Sequence, residues 1–273
     1  MISCDGFRFE YQFKTPTPNI DRLLTSGTEA HRGLVPVFPT LTLPNHYSLA
    51  TGLYPVSHGI PLWLTVTNHG LKAAAYYWPG SEAKKGNWTC PPKLCPKFVY
   101  NNLTSFEERM SKAYGPDDPR ISDAVAHVDR TIGRLIQGLE KKGIFNDVHI
   151  ILLGDHGMVG LCDNKVVYLE DLAPWVAIPE SWVQTHTPLL TIRPTTNVSS
   201  ADVVAKMKLG LSSGRVENGE YLKVYLREEL PDRFVYKGND LRLGDSDSRT
   251  SGGGVYGGAE ENREASVWRA TWL

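Results

Sequence analysis

The four cysteines of this chain include no Cys-x-x-Cys pair, which argues against a thiolate zinc site. Cys90 and Cys95 are spaced to close a small surface loop, whereas Cys4 and Cys162 read as lone thiols. No apolar run approaches the ~18–20 residues that span a bilayer, so no transmembrane segment is expected. Met1 leads directly into Ile2-Ser3-Cys4-Asp5, so no signal peptide is expected either. A Lys/Arg block is also missing, and the formal net charge is −1, so composition calls for neither a nucleic-acid polymer nor an anionic membrane as partner. No internal repeat is present. What remains, 41% hydrophobic and 22% charged residues over 273 positions, is the make-up of a soluble globular protein able to bury a sizeable core. Three Asn-x-Ser/Thr sequons, at Asn87, Asn102 and Asn197, hint at the secretory route.

The chain is organised around 38–59, Phe-Pro-Thr-Leu-Thr-Leu-Pro-Asn-His-Tyr-Ser-Leu-Ala-Thr-Gly-Leu-Tyr-Pro-Val-Ser-His-Gly. Pro44 suits the first turn of a helix, where its missing N–H is no loss, and Gly52 suits the stop. Thr42 then stands just ahead of that helix, facing unpaired N–H groups and the positive end of the dipole, where a phosphate is stabilised. A nucleophile and a plain helix cap both fit Thr42 taken alone.

Residues 1–4 read as the end of a buried strand, with a clipped start, running into Asp5-Gly6 at the edge where open α/β sheets place ligands. A turn residue is the alternative for Asp5. Thr17 as cap, Pro18 at the first position and Gly27 beyond the end mark a helix. Residues 33–38 lean towards strand, 61–70 towards a short helix and 71–78 towards strand. Residues 79–105 read as a long surface excursion. The clearest helix is 120–142, with Asp118 as cap, Pro119 at its start and one apolar face to pack on a sheet. A strand over 148–153 ends in Gly154-Asp155-His156-Gly157, repeating the geometry of Asp5-Gly6. No strong period marks 175–194; a helix capped by Ser199 or Ser200 follows over 201–211, then a strand over 221–226. Residues 1–236 thus read as one α/β domain, a central mostly parallel sheet flanked by helices, and 237–273 as a low-complexity disordered tail.

Asp5, Thr42 and Asp155-His156 converge as strand-end and helix-start elements. Two carboxylates and an imidazole suffice to hold one zinc ion, with the threonine oxygen at its fourth position. Such a metal lowers the pKa of a bound hydroxyl and polarises a phosphoryl oxygen. In-line attack on a phosphodiester or pyrophosphate through a phospho-threonine follows.

The motifs Cys4-Asp5-Gly6-Phe7-Arg8, Pro39-Thr-Leu-Thr-Leu-Pro-Asn-His46, Thr51-Gly-Leu-Tyr-Pro55, Ser57-His-Gly59 and Gly154-Asp-His-Gly-Met158 resemble the nucleotide pyrophosphatase/phosphodiesterase family of the alkaline-phosphatase superfamily, in wording nearest its plant branch. The resemblance spans residues 1 to about 236. It implies an alkaline-phosphatase-like fold and hydrolysis of nucleotides or nucleotide sugars. It further implies zinc held by Asp5, Asp155 and His156, Thr42 as nucleophile and metal ligand, and a secreted or extracellular site. Asn45, Trp63 and Tyr77 are candidate substrate contacts, with core packing the alternative for the two aromatics. The family's second zinc uses an Asp-x-x-Gly-His loop and a later histidine, and neither motif occurs in this sequence. Asp123 and His127 share a spacing but fall inside the 120–142 helix, where a solvated pair is the simpler reading. These gaps imply missing strands, an incomplete family member, and a competing function as an impaired relative that binds one metal ion or a phosphate ligand.

Overall fold

A computed structural model describes residues 1–81, 118–158, 166–185 and 189–235, together with the backbone of 255–258. The expectations for the 82–105 part of the excursion, Cys90, Cys95, Cys162, Asn87, Asn102 and most of the tail lie outside the described residues. The chain forms two compact units that interleave along the sequence.

The first unit comprises Met1–Pro36, Thr42–Gly52 and Ile60–Met158. Its strands β1 (Ile2–Cys4) and β2 (Leu152–Gly154) pair in parallel, Ile2 opposite Leu152 and Cys4 opposite Gly154. Parallel neighbours must be joined by a crossover. Here it contains the helices α1 (Pro18–Ser26), α2 (Thr42–Thr51), α3 (Leu62–Asn68) and α4 (Arg120–Lys141). Because both strands run the same way, Asp5 and Asp155 leave the same edge side by side. The apolar positions of α4 recur at helical spacing, so Ile121, Val125, Ile132 and Ile136 are all buried. Ile132 and Ile136 pack with Ile20 of α1 and with Ile2 and Leu152 of the two strands. Each such side chain contributes about 1.5–3 kcal/mol by leaving water.

Thr17 does stand at the start of α1, but its hydroxyl does not cap the helix; it donates to the Gln12 carbonyl at 3.0 Å. The open N–H groups of Asn19 and Ile20 instead donate to Asp129 Oδ1 at 3.0 and 2.9 Å, and Asn19 Nδ2 donates to Asp129 Oδ2 at 2.7 Å. A buried carboxylate on α4 thus caps α1 from outside. At the start of α4, Asp118 accepts from the Arg120 backbone N–H at 2.8 Å.

The second unit comprises Val37–Leu41, Leu53–Gly59 and Val159–Leu273. Its antiparallel sheet has the order β3 (Val183–Thr185), β4 (Leu190–Ile192), β6 (Val255–Gly258), β5 (Lys223–Leu226). Helix α5 (Ser200–Ser212) places Val203, Val204 and Met207 in one core with Leu172, Leu190, Ile192 and Val224. Ser199 is its cap, accepting from the Asp202 N–H at 3.3 Å.

Several expectations are corrected. Thr42 is the first residue of α2 rather than the residue ahead of it. Residues 33–38 form no strand, because Gly33 turns left-handed (φ +66°) and Pro36 lacks a ladder donor. Residues 71–78 form none either: no partner strand faces them among the described residues, and Ala75 instead packs under Trp63. The 148–153 strand shortens to Leu152–Gly154. Strands β3 and β4 lie in the stretch that showed no period. The expected disordered tail contains β6, which bonds to β4 on one side and β5 on the other. Its Val-Tyr pair favours extended backbone, which the glycine-rich surroundings mask.

Candidate metal centre

All the residues of the centre lie in the first unit. Asp5 follows β1 and Asp155 follows β2, and the two strand ends are tied together by the Gly6 N–H, which donates to Asp155 Oδ1 at 2.9 Å. Gly154 has no alternative at its position: a Cβ there would stand 2.5 Å from the Phe7 carbonyl oxygen. The close backbone approach brings the Asp5-Gly6-Phe7 turn against Asp155-His156.

One ligand atom each from Asp5, Asp155 and His156 lies within 4.8 Å of the others. His156 Nε2 is 3.4 Å from Asp5 Oδ1 and 3.3 Å from Asp155 Oδ2. Its other nitrogen, Nδ1, lies 2.9 Å from the Gly157 carbonyl oxygen, an acceptor only. A hydrogen therefore sits on Nδ1 and, in the neutral ring, a lone pair on Nε2 faces the carboxylates. Thr42 Oγ1, at the N-terminus of α2, donates to Asp5 Oδ1 at 3.2 Å and is 3.2 Å from His156 Nε2.

The electrostatics of this cluster are those of a cation site. Asp155 is wholly buried, and its Oδ2 accepts no well-formed hydrogen bond; the nearby imidazole nitrogens are charge contacts rather than aligned donors. Burial works to raise its pKa, but the imidazoles of His46 and His156 and the Gly6 N–H outweigh that and hold it below the usual carboxylate value. For His156 burial works to lower the pKa, yet the Asp5 and Asp155 carboxylates and the Gly157 carbonyl push it up to about 9. Two carboxylates, one with an orphaned buried oxygen, and one imidazole lone pair fit a divalent cation.

The structure thus gathers Asp5, Thr42, Asp155 and His156, the four residues expected to make the site. It treats the expected substrate contacts differently. Asn45 is buried at 2% exposure in α2, and Trp63, at 9%, packs against Ala50, Leu64, Ala75 and the edge of Trp78. Tyr77 is half exposed, its ring edge-on to Tyr76. Asp123 and His127 stand exposed on α4. The residue that sequence reasoning missed is His46, buried at 3% with Nδ1 3.2 Å from Asp155 Oδ2. Its i+4 spacing from Thr42 was the available signal, since that spacing places both on one helix face.

A venom phosphodiesterase of Macrovipera lebetinus is 31% identical over 310 residues, covering 89% of this chain and 34% of that protein. A pyrophosphatase/phosphodiesterase of Schizosaccharomyces pombe, itself uncharacterized, is 26% identical over 88% of this chain and 60% of its own length. The chain therefore spans between a third and three fifths of these relatives. The solved structure of murine ectonucleotide pyrophosphatase/phosphodiesterase 5 superposes with a TM-score of 0.74 at 24% identity, covering 95% of this chain and 78% of the murine chain. That likeness shows the fold, which is the alkaline-phosphatase-like α/β fold. The family model described as "Type I phosphodiesterase / nucleotide pyrophosphatase" matches residues 1–60, 61–113 and 108–251, and the chain belongs to that family.

Proposed function

We propose that this chain is a zinc-dependent hydrolase that cleaves phosphodiester or pyrophosphate bonds of nucleotides and nucleotide sugars through a phospho-threonine. The observation that carries the reading is the position of Thr42 Oγ1, at a helix N-terminus and 3.2 Å from both Asp5 Oδ1 and His156 Nε2. Asp5, Asp155 and His156 would hold the zinc, with the Thr42 oxygen beside it. Bound zinc supplies charge that lowers the pKa of a hydroxyl and stabilises a phosphoryl oxygen. The remaining work belongs to the chain. The N-terminus of α2, the positive end of its dipole, would face the phosphoryl oxygens and favour their negative charge. Asp5 Oδ1 already accepts the Thr42 hydrogen and orients the nucleophilic lone pair. The Thr42 oxygen forms a bond to phosphorus while the bond from phosphorus to the leaving oxygen breaks, and water later hydrolyses the phospho-threonine. Of Trp63 and Tyr77, Tyr77 is the exposed one and is available to a base.

The names of the relatives support nucleotide substrates and a place outside the cell, and no helix among the described residues is long and apolar enough to cross a membrane. A second reading, an impaired relative that binds one metal ion or a phosphate without turnover, is favoured by the missing Asp-x-x-Gly-His motif. Hydrolysis of a nitrophenyl ester of a nucleoside monophosphate, with zinc supplied, separates the two. The enzyme reading expects activity in the unaltered chain and a loss of at least about 10³-fold in Thr42→Ala. A folded, zinc-loaded chain without activity gives the site to the second reading.

A further inference from the structure

His46 lies on α2 one turn beyond Thr42, nearly closed to solvent, with the edge of Trp78 against its ring at 5.1 Å between centroids. Its Nδ1 is 2.9 Å from the carbonyl oxygen of Thr42 and 3.2 Å from Asp155 Oδ2. Both neighbours are acceptors, so Nδ1 carries a hydrogen; it donates to the Thr42 carbonyl, and the ring stands against Asp155 Oδ2 as a charge contact. One imidazole thus touches the residue bearing the nucleophile and the carboxylate from the end of β2. Gly6 already holds the other oxygen of that carboxylate, Oδ1. Oδ2 also faces His156 Nε2, at 3.3 Å, within a wholly buried surrounding.

We propose that His46 is a positioning residue, whose ring, anchored through Nδ1–H on the Thr42 carbonyl, holds the Asp155 carboxylate by close charge contact in its metal-binding orientation and in register with the first turn of α2. The role rests on the reading of Asp5, Asp155 and His156 as metal ligands. A carboxylate hydrogen-bonded at one oxygen and contacted by an imidazole at the other loses little rotational freedom on taking up a cation, and polar partners of this kind behind a ligand govern metal affinity.

The test measures zinc affinity by competition with a chromophoric chelator, and the visible bands of the cobalt-substituted protein, in three variants whose folding is followed by circular dichroism. His46→Asn places an amide N–H where Nδ1 stands. His46→Phe fills the volume without a donor, and His46→Gln puts its amide near the Nε2 position. The expected result is zinc affinity within a few-fold of the unaltered chain for His46→Asn, and about 10–100-fold weaker binding with altered cobalt bands for His46→Phe and His46→Gln. If Phe does not fold, Gln serves in its place. Retained affinity in a folded Phe or Gln variant overturns the proposal. So does an Asn variant that weakens as far as Phe, or that unfolds where Phe folds, because either outcome assigns His46 to packing. An unaltered chain that binds no zinc fails the metal reading itself, a result distinct from all of these.

Discussion

His156 is where the charge balance of the centre becomes measurable. In the metal-free protein burial disfavours its cation, but the two carboxylates raise its pKa from 6.5 to about 9. The folded value lies above the unfolded one, so the protonated imidazole stabilises the folded state. That contribution is full below pH ~6.5 and is lost as pH rises through about 9. The expected outcome, read by denaturant unfolding of metal-free protein, is a stability decline across that window on the order of 2–3 kcal/mol, flattened in His156→Gln. A slope unchanged by the substitution would remove His156 as its source. Metal binding runs the other way, because a ligating imidazole must be neutral: zinc affinity should fall as pH drops below about 9, with a proton released on binding. These residues were legible from the sequence for a physical reason. Asp5-Gly6 and Asp155-His156-Gly157 each follow an apolar stretch, so a repeated strand-end pattern announced them. His46 had no such pattern, since a histidine inside a helix reads the same whether it supports a ligand or fills a core.

At the scale of elements, the contact between α1 and α4 is set by Asp129 as much as by the isoleucines beside it. Its carboxylate satisfies the first open N–H groups of α1 from 110 positions away in sequence. Asp129→Ala would leave the N–H of Ile20 buried without an acceptor, which costs about 1–3 kcal/mol beyond the loss of a helix cap worth ~1 kcal/mol. The expected outcome is a folded protein destabilised by about 2–4 kcal/mol in chemical denaturation, with Asp129→Asn milder because it keeps one acceptor oxygen. A change under about 0.5 kcal/mol would show that the cap is dispensable. This element also marks how far local reading reaches. Thr17-Pro18 and Gly27 gave the ends of α1 correctly, but the group that caps it was invisible, because it lies on another helix. The stretches 33–38 and 71–78 failed for a related reason: β-leaning composition becomes a strand only where a partner edge exists. Strand β6 is the converse, a short extended segment stabilised by two neighbours despite glycine-rich surroundings.

For the whole chain, the decisive fact is that the proposed metal ligands come from residues 5 and 155–156. The α/β class and the two aspartate-bearing strand ends were readable in order along the sequence. Their adjacency was not, because it requires the parallel pairing of β1 with β2, three residues each. So short a ladder contributes little by itself. A cation joining Asp5 to Asp155 and His156 would therefore act as a cross-link across a closed loop of about 150 residues, binding the folded form and not the unfolded one. At a free zinc concentration a hundred times the dissociation constant, linkage adds about 2.7 kcal/mol, or roughly 5–10 °C in Tm for a chain of this size. The expected outcome is a thermal transition that falls by that amount on adding a chelator and returns with zinc. Asp155→Asn should start low and respond to neither treatment. If instead zinc raised the Tm of Asp155→Asn as much as that of the unaltered chain, the cation would be binding elsewhere, and the convergence of the two strand ends would have to be explained by the Gly6 N–H and His46 alone.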